Sequence, residues 1–263
     1  MNITALKSNS FSTDDHTLFR QANDPDTSPN VLAKLSNSQS ELIRGAVAYN
    51  KSTPEEVIEK LLQDTSAHVL SVLRKRGLKI NPRFVKPNKV FGNNLIFRDA
   101  LIDDASFILR LRTDDKKAQH LSTTANDLSK QIAWLEKYSN DHQQIYFVIT
   151  NRRGGPVGTV RLYDQQNDSF CWGSWILEDG APSSYALESA LMVYHFAFSL
   201  GFNNAHFDVR KGNESVWKFH ERFGAVRVEE TDLDYFYTIS SDAIKKSLLK
   251  YQKYLPNGLE IED

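Results

Sequence analysis

Asn213-Glu214-Ser215-Val216-Trp217-Lys218-Phe219-His220-Glu221-Arg222-Phe223-Gly224-Ala225 reads as a short amphipathic helix that stops at a glycine and runs into a strand. Val216, Phe219 and Phe223 fall at i, i+3 and i+7, which sets three apolar side chains on one helical face. Gly224 stands where a helix end asks for a residue free to adopt positive φ. Just upstream, Ala205-His206-Phe207-Asp208-Val209-Arg210 alternates as a strand does and ends in Lys211-Gly212. In a strand, His206, Asp208 and Arg210 share one face while Phe207 and Val209 take the other.

Outward from this point, residues from about Asn94 to Pro256 alternate strand and helix signals. Leu95–Arg98 is a first strand, and Asp103 or Asp104 can cap a helix through Phe107, Leu109 and Leu111. A second helix spans about Asp127 to Tyr138, with Ile132 and Leu135 facing inward. Strands follow at Ile145–Thr150, Val157–Tyr163 and Ser169–Leu177, the first two joined by the turn Arg153-Gly154-Gly155-Pro156. A loop, Glu178 to Ser184, leads to an apolar helix at Tyr185–Leu200, and strands at 225–230 and 234–240 close the series. Glu188, Ser189, His195 and Ser199 interrupt the apolar stretch Tyr185 to Phe202, so it reads as a buried helix and not as a membrane span.

The N-terminal region has a different texture. From about Ala22 to Gly77 the chain repeats itself with an offset of 26 residues: Thr27 maps to Thr53, Val31 to Val57, Leu35 to Leu61, Ile43 to Val69 and Val47 to Leu73. Such a period is the signature of helical pairs that bury their apolar faces on one another. In the second unit Thr53 is expected to cap, Pro54 to take the first helical position and Glu56 to close a capping box. Asp24-Pro25 and Leu42-Ile43-Arg44-Gly45-Ala46-Val47-Ala48 resemble the leucine-rich-repeat variant, an all-helical repeat. About three repeats are usually needed for independent stability. The module is therefore expected to lean on the C-terminal domain, either as an appendage or dimer-forming piece or as part of a substrate enclosure. With Pro82, Pro87 and Gly92 as punctuation, the expected division is 1–80, a linker at 81–93 and 94–263.

The 263 residues carry 32 Lys and Arg against 33 Asp and Glu, a formal net charge of −1, so no nucleic-acid-binding surface is expected. A single cysteine, Cys171, leaves no intrachain disulfide or multi-thiolate metal site and fits a reducing compartment. The first twenty residues lack the apolar core of a signal peptide, and a cytoplasmic location without membrane association is expected. No histidine pair shows the i, i+4 spacing of a helical metal site, and no metal is expected. Oligomeric state is not legible, and a homodimer is compatible with the sequence.

The strand, Asn, helix, Gly, strand order of residues 205–230, with the elements before it, resembles the GNAT family of CoA-dependent N-acyltransferases over roughly 160 residues. The resemblance implies an α+β fold: a mixed, mostly antiparallel central sheet flanked by helices, preceded here by the small all-α repeat domain. It also implies acyl-CoA held where two neighbouring strands splay apart. The pyrophosphate would lie on the loop after the fourth strand of the family fold, at a helix N-terminus that offers unpaired amide donors and the positive end of the dipole. Mapped onto this chain, the CoA contacts are Ile176, Leu177, Asp179, Gly180, Ser183, Ser184, Tyr185, Asn213 and Trp217. The family's spaced glycines are reduced to Gly180, and the loop contains no basic residue.

A tyrosine seven residues after the family's asparagine often protonates the departing thiolate, and the matching position here is His220. An imidazole can serve as that acid. The residue reads equally as a hydrogen-bonded packing histidine. For the base that takes the proton of the acceptor ammonium, the candidates are Glu178, Asp208 and Asp164. A backbone N–H near Ile176 to Glu178 would meet the oxyanion.

Leu109–Asp114, Leu128–Tyr138 and Ile145–Ile149 look like the layout shared by ribosomal-protein N-terminal acetyltransferases and amino-sugar N-acyltransferases. Residues 206–224 look most like acyltransferases of nucleotide-linked aminodeoxy sugars. The implied acceptor is a dTDP- or UDP-linked amino sugar, and the implied acyl group is acetyl or a larger one such as 3-hydroxybutanoyl. Trp134, Trp172, Arg161 and Lys211 are the expected substrate contacts, with Tyr138, Trp175, Phe202, Tyr235 and Arg98 as further stacking and charged groups. The alternatives are a peptide N-acetyltransferase of the ribosomal-protein type and a non-catalytic binding module.

Overall fold

A computed structural model describes residues 13–78, 80–118, 120 and 124–262. Residues 1–12, most of the stretch read above for a leader, lie outside the described residues. The chain divides into two compact units, Met1–Ile80 and Asn81–Asp263.

The described residues of the first unit form a stack of five helices: α1 (Thr13–Asn23), α2 (Pro29–Leu35), α3 (Glu41–Tyr49), α4 (Glu55–Leu61) and α5 (Ala67–Lys75). The bounds of α2 and α3 recur in α4 and α5 residue for residue, 26 positions later. Leu32, Ile43, Val47, Leu61, Val69 and Leu73 form its core. Loop hydrogen bonds recur with the same offset. Asn50 Nδ2 donates to the carbonyls of Ala22 and Asp24 at 2.9 and 2.8 Å, and Arg76 Nη1 donates to those of Ala48 and Asn50, both at 3.0 Å. The expected capping of α4 is corrected: Pro54 is itself the N-cap, with no side-chain cap bond, and the Thr53 hydroxyl donates to Val47 O at 2.6 Å. Thr53 closes the preceding loop because its buried hydroxyl needs a partner there.

The second unit runs β1 (Lys89–Phe91), β2 (Leu95–Asp99), α6 (Ala105–Arg112), α7 (Asp115–Ala118), α8 (Leu128–Ser139), β3 (Ile145–Asn151), β4 (Pro156–Gln166) and β5 (Ser169–Leu177). It continues through α9 (Ser184–Ser199), β6 (Asn204–Arg210), α10 (Glu214–Arg222), β7 (Val226–Glu230), β8 (Asp234–Ile239), α11 (Ser241–Lys250) and β9 (Glu260–Glu262). The strands form one sheet in the order β7-β8-β6-β5-β4-β3-β2-β1-β9. Neighbours are antiparallel except β5 and β6, which α9 joins as a parallel crossover. Part of the stretch read as a linker is therefore structural, since β1 pairs with both β2 and β9. Neither α11 nor β9 figures in the sequence reading.

Adjacent residues on β3 show how the layers arise. Tyr146 meets Trp134 and Tyr138 of α8, while Phe147 meets Phe196 of α9, so the two helices cover opposite faces. Helix α9 is apolar nearly all round, as a helix inside a core must be, and Ala190, Leu191, Met192, Val193 and Phe196 are fully buried. Its one buried carboxylate, Glu188, accepts hydrogen bonds from Asn94 Nδ2 and from the amides of Asn94 and Leu95, which satisfies the charge and pins the turn before β2. Among the described residues no helix is long and apolar enough to cross a membrane.

Candidate active site

The parallel pair β5 and β6 holds together only at its start. Ser169 pairs with Asn204, Phe170 with Ala205 and Cys171 with His206, yet both strands run on, to Leu177 and Arg210. A bulge drives them apart. The register of β4 on β5 shifts between Arg161–Gly173 and Thr159–Ile176, so β5 carries an extra residue, and Ser174 adopts a φ of +47°. Thr159 Oγ1 donates to Ser174 O at 2.9 Å, and Arg112 Nη1 donates to Ser174 Oγ at 3.1 Å.

The splay leaves a wedge-shaped cavity of about 190 Å³. Trp172, Trp175, Phe207, Val209 and Val216 form its apolar walls, and Asp208, Asn213, His120 and His220 bring polar atoms to it. A second cavity, of about 340 Å³, lies against the α8 side of the sheet and is lined by Arg112, Lys130, Arg161, Trp134, Tyr146 and Thr124 among others. Ser174 lines both cavities.

Three cations converge on the larger cavity. The Arg161 guanidinium lies 5.5 Å from the ring centre of Trp134 and 4.7 Å from that of Tyr163, and its Nε donates to Gln144 Oε1. Burial lowers its pKa from the free guanidinium range, but an arginine stays cationic. Arg112 also donates to Thr124 Oγ1 at 2.8 Å. The buried hydroxyl of Tyr146 has no hydrogen-bond partner among the described residues. Two half-buried arginines held beside an aromatic face, with an exposed lysine at the rim, suit an anionic, ring-bearing ligand.

The predicted site residues fall into groups. Trp134 and Arg161 meet in the cationic cavity, while Trp172, Asp208, Asn213 and His220 meet in the wedge. Lys211 joins neither cavity: its ammonium is 3.5 Å from Glu230 and lies over the Tyr235 ring. Trp217 also lies outside the wedge lining, with Nε1 donating to Lys211 O at 3.1 Å, so it fastens the turn before α10. Arg98 is held by both oxygens of Asp104, Phe202 is core beside Phe84 and Phe170, and Tyr138 is buried against Asp99. Ile176 is buried and Leu177 half-buried at the end of β5.

Two of the acidic candidates have cationic partners. Glu178 pairs with Arg110, and Asp179 pairs with Lys117 at 3.0 Å and Lys116 at 3.9 Å. Lys117 and then Lys116 pull the Asp179 pKa below the usual carboxylate range. The loop without a basic residue thus receives its positive charge from α6 and α7. Gly180 takes a φ of +81°, Ser183 is the N-cap of α9 without a side-chain cap bond, Ser184 opens the helix, and Tyr185 N donates to Pro182 O. Asp164, with φ +48°, accepts from His206 Nε2 at 3.1 Å, which lowers its pKa, and His206 Nδ1 meets Ser169 Oγ at 2.8 Å. This array stands at the closed base of the splay and not in either cavity lining.

His220 is 4 % exposed and sits among rings, with centroids of Phe207 and Trp172 at 4.1 and 5.0 Å. Burial pushes its pKa down to about 3, and its Nδ1 has no protein partner among the described residues. The side chain is therefore neutral at neutral pH, and an imidazolium acid is not what this position provides. Asp208 moves the other way: partial burial, and then the Asp234 carboxylate, raise its pKa. A carboxylate of raised basicity at the wedge is suited to accept a proton.

The residues fit acyl-CoA in three respects. The apolar walls of the wedge match an extended thioester arm, and β5, one of those walls, leads directly into the loop at residues 178–183. There the N-terminus of a sixteen-residue helix and two lysines favour a pyrophosphate. Arg112, Lys130, Tyr146, Ser174 and His120 escaped the sequence reading. Gly173-Ser174 inside a strand pattern is the signal that could have marked the bulge.

A family model for the GNAT acetyltransferase domain matches residues 94–226. No curated protein sequence matches the chain. Among solved structures, apo FdhC, described as a nucleotide-linked sugar GNAT, shares 36% identity, covering 67% of this chain and 99% of its own, with a TM-score of 0.55. A putative acetyltransferase from T. thermophilus shares 16%, covering 64% and 96%, at 0.54. Spermidine N-acetyltransferase from Vibrio cholerae, in complex with CoA and spermine, shares 16%, covering 58% and 98%, at 0.52. At that identity the last two speak for the fold alone.

Proposed function

We propose that this chain, which belongs to the GNAT acetyltransferase family and is an acyl-CoA-dependent N-acyltransferase, acylates the amine of a nucleotide-linked aminodeoxy sugar. Family membership decides between enzyme and binding module in favour of the enzyme. The observation that carries the acceptor reading is the cationic, Trp134-walled cavity that adjoins the wedge at Ser174. The likeness to FdhC supports it. A dTDP- or UDP-linked sugar offers a diphosphate for Arg112, Arg161 and Lys130 and a flat base for stacking.

Acyl-CoA supplies an activated thioester carbonyl, and this chain's residues do the rest. The wedge between β5 and β6 holds the acyl arm, acetyl or a larger group such as 3-hydroxybutanoyl, between Trp172, Trp175, Phe207 and Val216. Backbone alternation singles out the oxyanion donor. Glu178 N is spent on Val157 O at 2.9 Å, so the N–H of Leu177, one residue earlier, points away from β4 into the splay. Asp208 frees the amine of its proton before attack. Asn213, Gly180, Ser183 and Ser184 line the path of the CoA arm and pyrophosphate. The first unit is read as a leucine-rich-repeat-variant module, supported by its 26-residue recurrence.

The test is thiol release from a panel of acyl-CoAs with dTDP- and UDP-linked amino sugars, run beside Arg161→Met. One donor and acceptor pair should turn over well. The variant should raise KM for the sugar nucleotide about 10- to 100-fold, the loss of a charge-assisted hydrogen bond, while calorimetric affinity for CoA holds. Silence with every sugar nucleotide, and turnover of a peptide amine, would move the acceptor to the ribosomal-protein type.

A further inference from the structure

Ser174 is where the two cavities meet, and its side chain is held by Arg112 from the cationic one. Arg112 Nη1 donates to its Oγ at 3.1 Å, Thr159 Oγ1 donates to its carbonyl at 2.9 Å, and its φ is +47°. Glycine would accept that backbone without strain. What serine adds is a hydroxyl. A serine oxygen carries one proton and two lone pairs. With Arg112 on one lone pair, a lone pair and the proton remain for groups arriving from the two sides.

We propose that Ser174 is the proton relay of the transfer, taking a proton from the attacking nitrogen while giving its own to the departing sulfur. This rests on the cationic cavity being the acceptor's entrance. The amine lone pair forms the C–N bond at the thioester carbonyl carbon, and the π electrons move onto oxygen. As they return, the C–S bond breaks and its electron pair stays with sulfur. The nitrogen, cationic once bonded, passes one proton to Ser174 Oγ, and the original Oγ–H proton goes to sulfur. The products are a neutral amide and a neutral thiol, and the serine is restored with no change of charge. The relay never needs a free alkoxide, because the proton arriving from nitrogen replaces the one leaving for sulfur.

The relay also fills a gap left at His220, whose buried, neutral ring lines the wedge without offering an acid. Asp208 has a separate task, since it acts on the free ammonium before the C–N bond forms. Arg112 is a positioning residue: it belongs to α6, reaches the bulge from the cationic side and fixes which way the hydroxyl turns.

The decisive pair is Ser174→Gly and Ser174→Ala, assayed by thiol release with the same acyl-CoA and amino-sugar nucleotide panel and by calorimetry with CoA. Glycine removes the hydroxyl and relaxes the strain, whereas alanine removes the hydroxyl and keeps the strain. Both should lose kcat by roughly 100-fold, the scale of general acid–base assistance, with CoA affinity unchanged. If Ser174→Gly holds kcat within about threefold of wild type, the residue serves the bulge only and the relay is overturned. Loss of CoA binding in both variants overturns it as well, by making Ser174 structural. Wild type silent across the panel overturns the acceptor reading, and the relay falls with it. That outcome is distinct from an active wild type whose glycine variant is equally active.

Discussion

His220 and Arg112 illustrate how much a residue's neighbours decide. Sequence spacing places His220 at the family's acid position, but spacing is blind to the ring cluster of Phe207, Trp172 and Phe219 that closes over the imidazole. The consequence is measurable. The native state holds the ring neutral down to about pH 3, whereas the unfolded chain takes up a proton near its ordinary value of about 6.5. Between those values the unfolded state binds more protons, so stability falls as pH falls through that window and is unaffected above it. At about pH 5 the loss amounts to about 2 kcal/mol. His220→Phe should lack it: from pH 7.5 to 5 the melting temperature of wild type should drop about 4–8 °C further than that of the variant. Equal drops would mean the imidazole is protonated in the folded state. Arg112 is the converse case. In sequence it is one basic residue at the end of an alternating helix, and only tertiary structure brings it to Ser174, 62 residues away.

Among the elements, nearly every strand and helix from Leu95 to Ile239 was legible because its apolar period is unambiguous. The boundaries of β5, α9 and α10 fall within a residue of expectation. What the periods could not convey is irregularity. The bulge in β5 is one extra residue, and its effect is a register shift and a splayed neighbour. The strand β1 was hidden by Pro82, Pro87 and Gly92, and its three residues lie between β2 and β9, a partner from the far end of the chain that no local pattern announces. Helix α11 has an N-cap serine, Ser240, accepting from Ala243 N, but follows the last strand so closely that its start merges with it. Of the candidate site, the wedge side was largely readable and the cationic cavity was not. The latter is assembled from α6, α8, β3, β4 and β5, which no local pattern connects. The β4–β5 seam offers a test at this scale. A Cβ on Gly158 would stand 2.4 Å from Ile176 O, a backbone atom that cannot turn aside. Gly158→Ala should therefore force the strands apart beside the bulge, cost on the order of 1–3 kcal/mol in chemical denaturation and weaken CoA affinity. Unchanged affinity at reduced stability would show that the wedge tolerates movement of that seam.

At the scale of the molecule, the first unit carries a core of its own. The residues that close it, from Ala22 to Leu73 with Leu78 and Ile80 packed against them, all lie before Asn81. The repeat stack is nonetheless short, and a stack of fewer than about three repeats has little interface with which to resist unfolding. Scanning calorimetry of the full chain should accordingly resolve two transitions, the repeats melting first and the upper transition alone rising when CoA is added, because a ligand stabilises only the unit that binds it. A fragment of residues 81–263 should then reproduce the upper transition and keep thiol release, with kcat and KM for the sugar nucleotide within about twofold of the full chain. A single transition that CoA raises as a whole would instead mean that the cores fold as one. Loss of KM but not of kcat in the fragment would give the repeats a part in enclosing the acceptor, because a contact made equally in the ground and transition states changes KM alone.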